Sequence, residues 1–394
     1  MKVLVTHPGR QHSHHVALAL EEAEMLAGYW AGVPAVAEQA WRVPGFLRGT
    51  FARYAPIVLP PARARWFPWT PAIRRTGDSW LPSGGAAWTD FAACRLFDRW
   101  AARELAGIEA EAVIACEISA LSIFRAARRR GMTTILDAPS IHHAAQDRLH
   151  GTTDPPNLHQ RIVRIKDEEI ALADHVLTVS ELARQTYRDA GVPVEKVHAV
   201  PLGADLGLFS SDGGAKSGDL TFLFAGATIR RKGFDLLLEA FDRVAAAEPD
   251  TRLRIVGPRG DLGRLLDGRS GDRVAFLGPR PQTELAAEMR RAEVLVLPSR
   301  NDSYGMVVAE ALASGTPALV SEMVGAKDLV TEGKTGWILA VEDLEALSDR
   351  MAWCARHPEA VRAMGPDCRR AAETATWPAY HRRFAELVRG LPSR

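Results

Sequence analysis

Twice along the chain, short apolar runs that read as buried strands alternate with amphipathic helices. A stretch rich in Gly, Ser and Asp over residues 203–218 separates the two series. Strands joined through helices pair in parallel by right-handed crossovers, so each series must build a parallel sheet with helices packed on its faces. In the first series strands are expected at residues 2–5, 112–116, 133–136, 175–179 and 197–200, and in the second at 220–225, 252–256, 274–277, 294–297 and from 318 onward. At 394 residues there is room for two such domains of ordinary size. The separating stretch has no apolar period and reads as a hinge. The expected fold is therefore α/β, two parallel-sheet domains facing a cleft.

Bulk charge excludes one class of partner. Lys plus Arg total 49 against 48 for Asp plus Glu, a net charge of +1, so attraction to nucleic acid has no global basis and any electrostatic function must be local. The four cysteines, Cys94, Cys116, Cys354 and Cys368, form no CxxC pair, which suits a reducing compartment better than a disulfide or zinc scaffold. No apolar run reaches membrane-spanning length and no charged leader precedes the strand at residues 2–5. The expectation is a cytoplasmic protein, or one peripheral on a membrane.

Residues 294–320, VLVLPSRNDSYGMVVAEALASGTPALV, read as strand, loop, short helix and strand. One acid, Glu310, stands in the helix among Met306, Val307, Val308, Ala309, Ala311, Leu312 and Ala313. Burying that carboxylate alone would cost several kcal/mol, so it must meet donors or a hydroxyl-bearing ligand. Asp302 and Ser303 are cap-type residues, and a helix N-terminus at the end of a strand suits a phosphate. In the first strand-to-helix loop of the second series, Gly226 is followed by Arg230, Arg231, Lys232 and Gly233, three cations at the same sheet edge. Such a cluster makes sense if two linked phosphates are held while negative charge builds on them.

In the first series, His7, Gly9, His12, His14 and His15 crowd the loop and helix start after the first strand. They share no fixed helical spacing, so lining of a polar cleft is favoured over a metal site. Residues 42–75 hold Arg48, Arg53, Arg63, Arg65, Arg74 and Arg75, no acid, and Phe46, Phe51, Trp66, Phe67 and Trp69. Two readings stay open: contact with an anionic membrane surface or lipid-linked diphosphate, and a lid packing its own aromatics.

These pieces together resemble the retaining glycosyltransferases of family 4, which have the GT-B fold. The family's Glu-x7-Glu signature is matched by Asp302 to Glu310, with Asp standing where Glu is usual, and is followed by Ala311-Leu-Ala-Ser-Gly315-Thr-Pro317. Arg231 and Lys232 fall on its diphosphate-binding pair. Pro201-Leu-Gly-Ala-Asp205, Phe276-Leu-Gly278, Gly325-Ala-Lys-Asp328, Gly333-Lys-Thr-Gly336 and Trp377 match further family positions. The resemblance implies two Rossmann-like domains, an acceptor-side one over 1–203 and a donor-binding one over 219–374. They would be joined by a hinge at 204–218, with a helix in 375–394 crossing back to the first domain. It implies a nucleoside diphosphate sugar donor and a glycan, lipid-linked or small-molecule acceptor. Glu310 would take the ribose hydroxyls, Asp302 and the backbone of Ser303, Tyr304, Gly305, Met306 and Val307 the sugar and distal phosphate, and Arg231 and Lys232 the diphosphate. Gly226 and Arg230 would support them, Arg280 would lie beside the base, and Gly9 stands for the family's double-glycine loop. Where members often carry a histidine, this chain has Asp137, with His142 shortly after; these two are the candidates nearest the reacting carbon. With cations carrying the leaving group's charge, neither cofactor nor metal is implied. The alternatives are another sugar-nucleotide enzyme of this fold, an epimerase or hydrolase, and a binding protein without turnover.

Overall fold

The computed structural model describes residues 1–40, 56–80, 85–152, 154–211, 218, 220–269, 271, 273–392 and 394. Arg42, Phe46, Arg48, Phe51 and Arg53 of the Arg and aromatic segment, and residues 212–217 of the hinge, lie outside the described residues. The first sheet has seven strands in the order β3-β2-β1-β4-β5-β6-β7, where β1 is Val3–His7, β2 Leu26–Ala31, β3 Ala64–Trp66, β4 Ala112–Cys116, β5 Thr133–Ala138, β6 His175–Thr178 and β7 Val197–Ala199. The second has six in the order β10-β9-β8-β11-β12-β13, where β8 is Leu220–Ala225, β9 Thr251–Val256, β10 Val274–Gly278, β11 Val294–Leu297, β12 Ala318–Ser321 and β13 Gly336–Leu339. Every pairing is parallel. This is the GT-B architecture. The four side chains of β11 are fully buried, each contributing about 1.5–3 kcal/mol of apolar burial.

Strand order places the working loops. In each sheet the order reverses beside a central strand, between β1 and β4 and between β8 and β11. Loops leaving the two strands of such a switch point diverge and open a crevice at the strands' C-terminal ends.

The first helix, α1 (Ser13–Glu22), ends where Glu24 takes φ +57° and the chain turns into β2. Two features depart from the sequence reading. The edge strand β3 is only three residues long and sits inside the segment read as a membrane contact or lid. Asp137 belongs to β5 itself rather than to the loop beyond it. Toward the other end, the helix Trp377–Gly390 packs on α1. The His15 ring stacks on Trp377 with centroids 3.4 Å apart, and Arg383 Nη2 donates to the Pro201 carbonyl at 3.2 Å.

Candidate functional site

A cleft of about 740 Å³ opens where the two switch points face each other. The first sheet's loops contribute Gln11, His12, Pro139, Ser140 and Gln146, and the second's Gly226, Arg231, Lys232 and residues 301–307.

The cationic loop is held from below. Gly233 has φ +67°, and a Cβ there would stand 1.9 Å from the Pro298 carbonyl oxygen, so glycine is what lets this loop settle on the exit of β11. Arg300, buried beneath it, donates from Nη1 to Asp235 Oδ1 at 2.7 Å, from Nη2 to Oδ2 at 3.0 Å and from Nη1 to the Arg230 carbonyl at 2.7 Å. Its Nε reaches Glu342 at 2.6 Å, and its backbone N–H donates to the Arg231 carbonyl at 2.9 Å. A bidentate pair of this kind fixes geometry as well as charge. On that base, Arg231 Nη1 donates to the Asn301 carbonyl at 2.9 Å and the Lys232 ammonium pairs with the Asp302 carboxylate.

The helices at the two switch points differ in what meets their N-termini. After β4, the helix Leu121–Arg129 is capped by the protein's own acids: Glu169 accepts from Ala120 and Leu121 N–H, and Asp98 from Ser122 and Ile123 N–H. After β11, the helix Met306–Ala313 has no side-chain cap, and Gly305, at φ +84°, precedes it. The reading of Asp302 and Ser303 as caps is corrected. Asp302 turns to Lys232, and Ser303 Oγ accepts from Ile141 N–H at 3.1 Å across the cleft. The donors of the second helix therefore face the cleft with positive dipole and no carboxylate of their own, an anion site beside two cations.

Glu310 sits four residues beyond Met306 and so on the same helix face. It is 5% exposed, and no hydrogen bond to its carboxylate is made among the described residues. Burial pushes this carboxyl up to about 7. A ligand bearing hydroxyls would supply the missing donors.

On the opposite wall, Asp137 is buried and accepts from His12 Nε2 at 3.1 Å. Burial would raise the Asp137 carboxyl, but the adjacent His12 charge and hydrogen bond outweigh it and hold it below its usual value. The same pair lifts the His12 imidazole above its usual value against its own burial. Nearby His7, dominated by burial, is held down at about 4. Asp137→Asn is expected to drop the His12 titration midpoint, followed by imidazole NMR, from above the ordinary histidine value to below it. An unmoved midpoint would remove the pair from any role in setting charge at this wall. The pair's stabilising contribution is lost as pH falls through the depressed Asp137 value and again as it rises through the elevated His12 value.

The cleft thus gathers Gly226, Arg231, Lys232, Asp302, Ser303, Tyr304, Gly305, Met306 and Val307 of the expected donor site. Six candidates lie outside its lining, among them Asp137, which is bonded to the lining residue His12, and Glu310, buried in the helix Met306–Ala313. Gly9 N–H is taken by His7 Nδ1 at 2.9 Å, Arg230 reaches toward Asp235 at 3.6 Å, and Arg280 pairs with Glu284 at 3.1 Å on the surface. His142 caps its own helix, its Nδ1 accepting from Ala144 N–H at 3.2 Å. His12, Gln11 and Ser140 were not singled out by sequence; the histidine-rich loop was the signal for His12, since its members divide between the cleft and the contact with Trp377.

Residues 209–371 match glycosyl transferases group 1. Over 174 residues the chain is 33% identical to D-inositol 3-phosphate glycosyltransferase of Corynebacterium glutamicum, covering 42% of each chain. Over 239 residues it is 29% identical to the GDP-mannose-dependent alpha-(1-6)-phosphatidylinositol monomannoside mannosyltransferase of Mycolicibacterium smegmatis, covering 55% of this chain and 63% of that one. The chain thus spans between about two fifths and two thirds of the length of these relatives. Sucrose-phosphate synthase from Thermosynechococcus elongatus superposes with a TM-score of 0.76 at 18% identity, over 99% of this chain and 98% of that one. HepE of Anabaena, solved in complex with UDP, does so at 0.68 and 16%, over 99% and 100%. These likenesses establish the fold across the whole chain, and the group 1 match lies on the half that carries the cations and the open helix N-terminus.

Proposed function

We propose that this protein is a retaining, metal-independent family 4 glycosyltransferase that moves a hexosyl unit from a nucleoside diphosphate sugar to a hydroxyl of a glycan, lipid-linked or small-molecule acceptor. The observation that carries the reading is the pairing of Arg231 and Lys232 with the uncapped helix at Met306, two cationic devices converging on one cleft. The domain division at 1–203, 204–218, 219–374 and 375–394 belongs to the same proposal. The bond from the anomeric carbon to the distal phosphate oxygen breaks, its electron pair leaving with the nucleoside diphosphate, and Arg231, Lys232 and the helix N–H groups take up that charge. The acceptor hydroxyl attacks the oxocarbenium-like carbon from the same face and passes its proton to the departing phosphate oxygen. Asp302 orients the sugar, and Asp137 acts through His12 on the acceptor side; His142, bound as a helix cap, is assigned no contact with the reacting atoms.

Glycosyl transfer requires both substrates. Incubating UDP, GDP and ADP sugars, ranked first by thermal shift, with and without candidate acceptors should release nucleoside diphosphate in step with product, anomeric configuration kept. Epimerised or hydrolysed sugar without acceptor would mark a different enzyme of this fold, and binding without release a protein that only holds the nucleotide.

No helix among the described residues is long and apolar enough to cross a membrane. For the described part of that segment, residues 56–74, we favour the lid. Arg63 pairs with Glu21, Arg65 with Glu104 at 3.0 Å and Arg74 with Asp90 at 2.5 Å, while Phe67 stacks on Trp100 at 5.3 Å. Acids elsewhere in the chain thus answer these arginines. Sedimentation with anionic vesicles at low salt should leave the protein in the supernatant; pelleting that added salt reverses would restore the membrane reading.

A further inference from the structure

The cleft wall opposite the cations carries a hydroxyl whose proton is already spent. Ser140, just past β5, lines the cleft, and its Oγ donates to Glu117 Oε1 at 2.6 Å. The other carboxylate oxygen of Glu117 stands 2.9 Å from Lys166 Nζ, and each of these two charged side chains is 9% exposed. We propose that Ser140 is a specificity residue that accepts a hydrogen bond from an uncharged carbohydrate hydroxyl, and that Glu117, held by Lys166, is the positioning residue that sets this polarity.

A serine hydroxyl has one proton and two lone pairs, and a carboxylate paired with an ammonium can only accept. Ser140 therefore gives its proton to Glu117 and turns lone pairs alone toward the cleft. Phosphate and carboxylate oxygens, which also only accept, gain no bond there, whereas a sugar hydroxyl does. The second sheet's wall has the opposite polarity, since Arg231, Lys232 and the uncapped helix N-terminus at Met306 offer donors. One wall suits phosphates and the other hydroxyls. The backbone beside Glu117 is strained in making this turn. Ile118 has φ +69°, a region that a β-branched residue seldom enters. It is held from both sides: its N–H donates to buried Glu169 at 2.7 Å, and its carbonyl accepts from Arg95 Nη1 at 3.2 Å. The Glu117 N–H donates to the Asp137 carbonyl at 3.0 Å, which ties the exit of β4 to β5 shortly before Ser140. Such strain persists only where the surroundings over-determine it, and it clusters at ligand sites.

The hydroxyl can belong to the transferred sugar or to the acceptor, and binding separates the two. Ser140→Ala, a change at a half-buried position on the cleft, is titrated by calorimetry with UDP-glucose, GDP-mannose and ADP-glucose and with UDP, GDP and ADP. If the transferred sugar supplies the hydroxyl, the sugar nucleotide loses about three- to tenfold in affinity and the bare nucleotide none. If the acceptor supplies it, neither moves, and KM for the acceptor rises by that factor, more than any fall in kcat. Glu117→Gln lets an amide donate to Ser140 Oγ; it should reproduce whichever shift Ser140→Ala shows, with the double variant no worse than either. A merely structural loss would weaken bare nucleotide as well and would add in the double variant. If Glu117→Gln folds poorly, Ser140→Ala decides. This contact rests on the transferase function, yet the two fail separately. Failure of all three sugar nucleotides to bind overturns that function and the contact with it, whereas wild-type affinity together with a wild-type acceptor KM in Ser140→Ala overturns the contact alone.

Discussion

Lys232→Ala is expected to lower kcat with saturating donor by about 10²- to 10³-fold, the cost of removing one preorganised group that meets charge developing in a transition state. Two effects combine in that number. The departing diphosphate loses a cation, and Asp302, buried at 8% exposure, keeps a carboxylate whose partner is gone. The unpaired acid would then repel the phosphate it formerly helped to place. Lys232→Ala with Asp302→Asn separates the two: recovery of part of the rate in the double variant assigns that part to the stranded acid, whereas simple additivity assigns the whole loss to the cation. Lys232→Arg keeps the charge but changes its shape, and should fall between wild type and alanine. Wild-type turnover in Lys232→Ala at saturating donor would sink the charge-stabilisation role.

The second half of the chain was the more legible, for a physical reason. Strand β11 and the helix Met306–Ala313 are apolar enough that one acid, Glu310, stands out, and a loop with three cations cannot be taken for core. Arg300 is not legible in the sequence because nothing in PSRND tells that its side chain turns under Arg230 and Arg231 instead of outward; only the packing of Asp235 and Glu342 around it makes it a strut. Asp302 and Ser303 looked like caps because their side chains suit that task. The competing partners, Lys232 and Ile141, come from 70 and 162 residues away, and sequence spacing carries no sign of them. On the first-half wall, Asp137 was seen and its partner was not. Four histidines within nine residues offer no periodicity by which to choose His12, and the pair is made by β1 and β5 lying on either side of β4.

Glu310→Gln should move stability and nucleotide affinity in opposite directions. In the ligand-free protein burial lifts the Glu310 carboxyl from 4.5 to about 7. Because its folded value lies above its unfolded one, the native state holds more protons between the two. Its favourable contribution is therefore complete below the unfolded value and is lost as pH rises to about 7. At about 1.36 kcal/mol per unit, the loss across that window is about 3 kcal/mol. Glutamine does not titrate, so the variant's stability by urea unfolding should lack this fall and exceed wild type at pH 8. Nucleotide binding should show the reverse. A carboxylate accepting from ribose hydroxyls makes charge-assisted bonds worth about 1.5–3 kcal/mol, so calorimetry should find nucleoside diphosphate bound about 10- to 100-fold more weakly by Glu310→Gln. A merely misfolded variant would lose both properties together, so a rise in one with a fall in the other cannot be mimicked by damage. If the variant gains stability and keeps wild-type affinity, Glu310 is a buried acid with no ligand to serve, and the ribose assignment fails while the charge assignment at Lys232 stands.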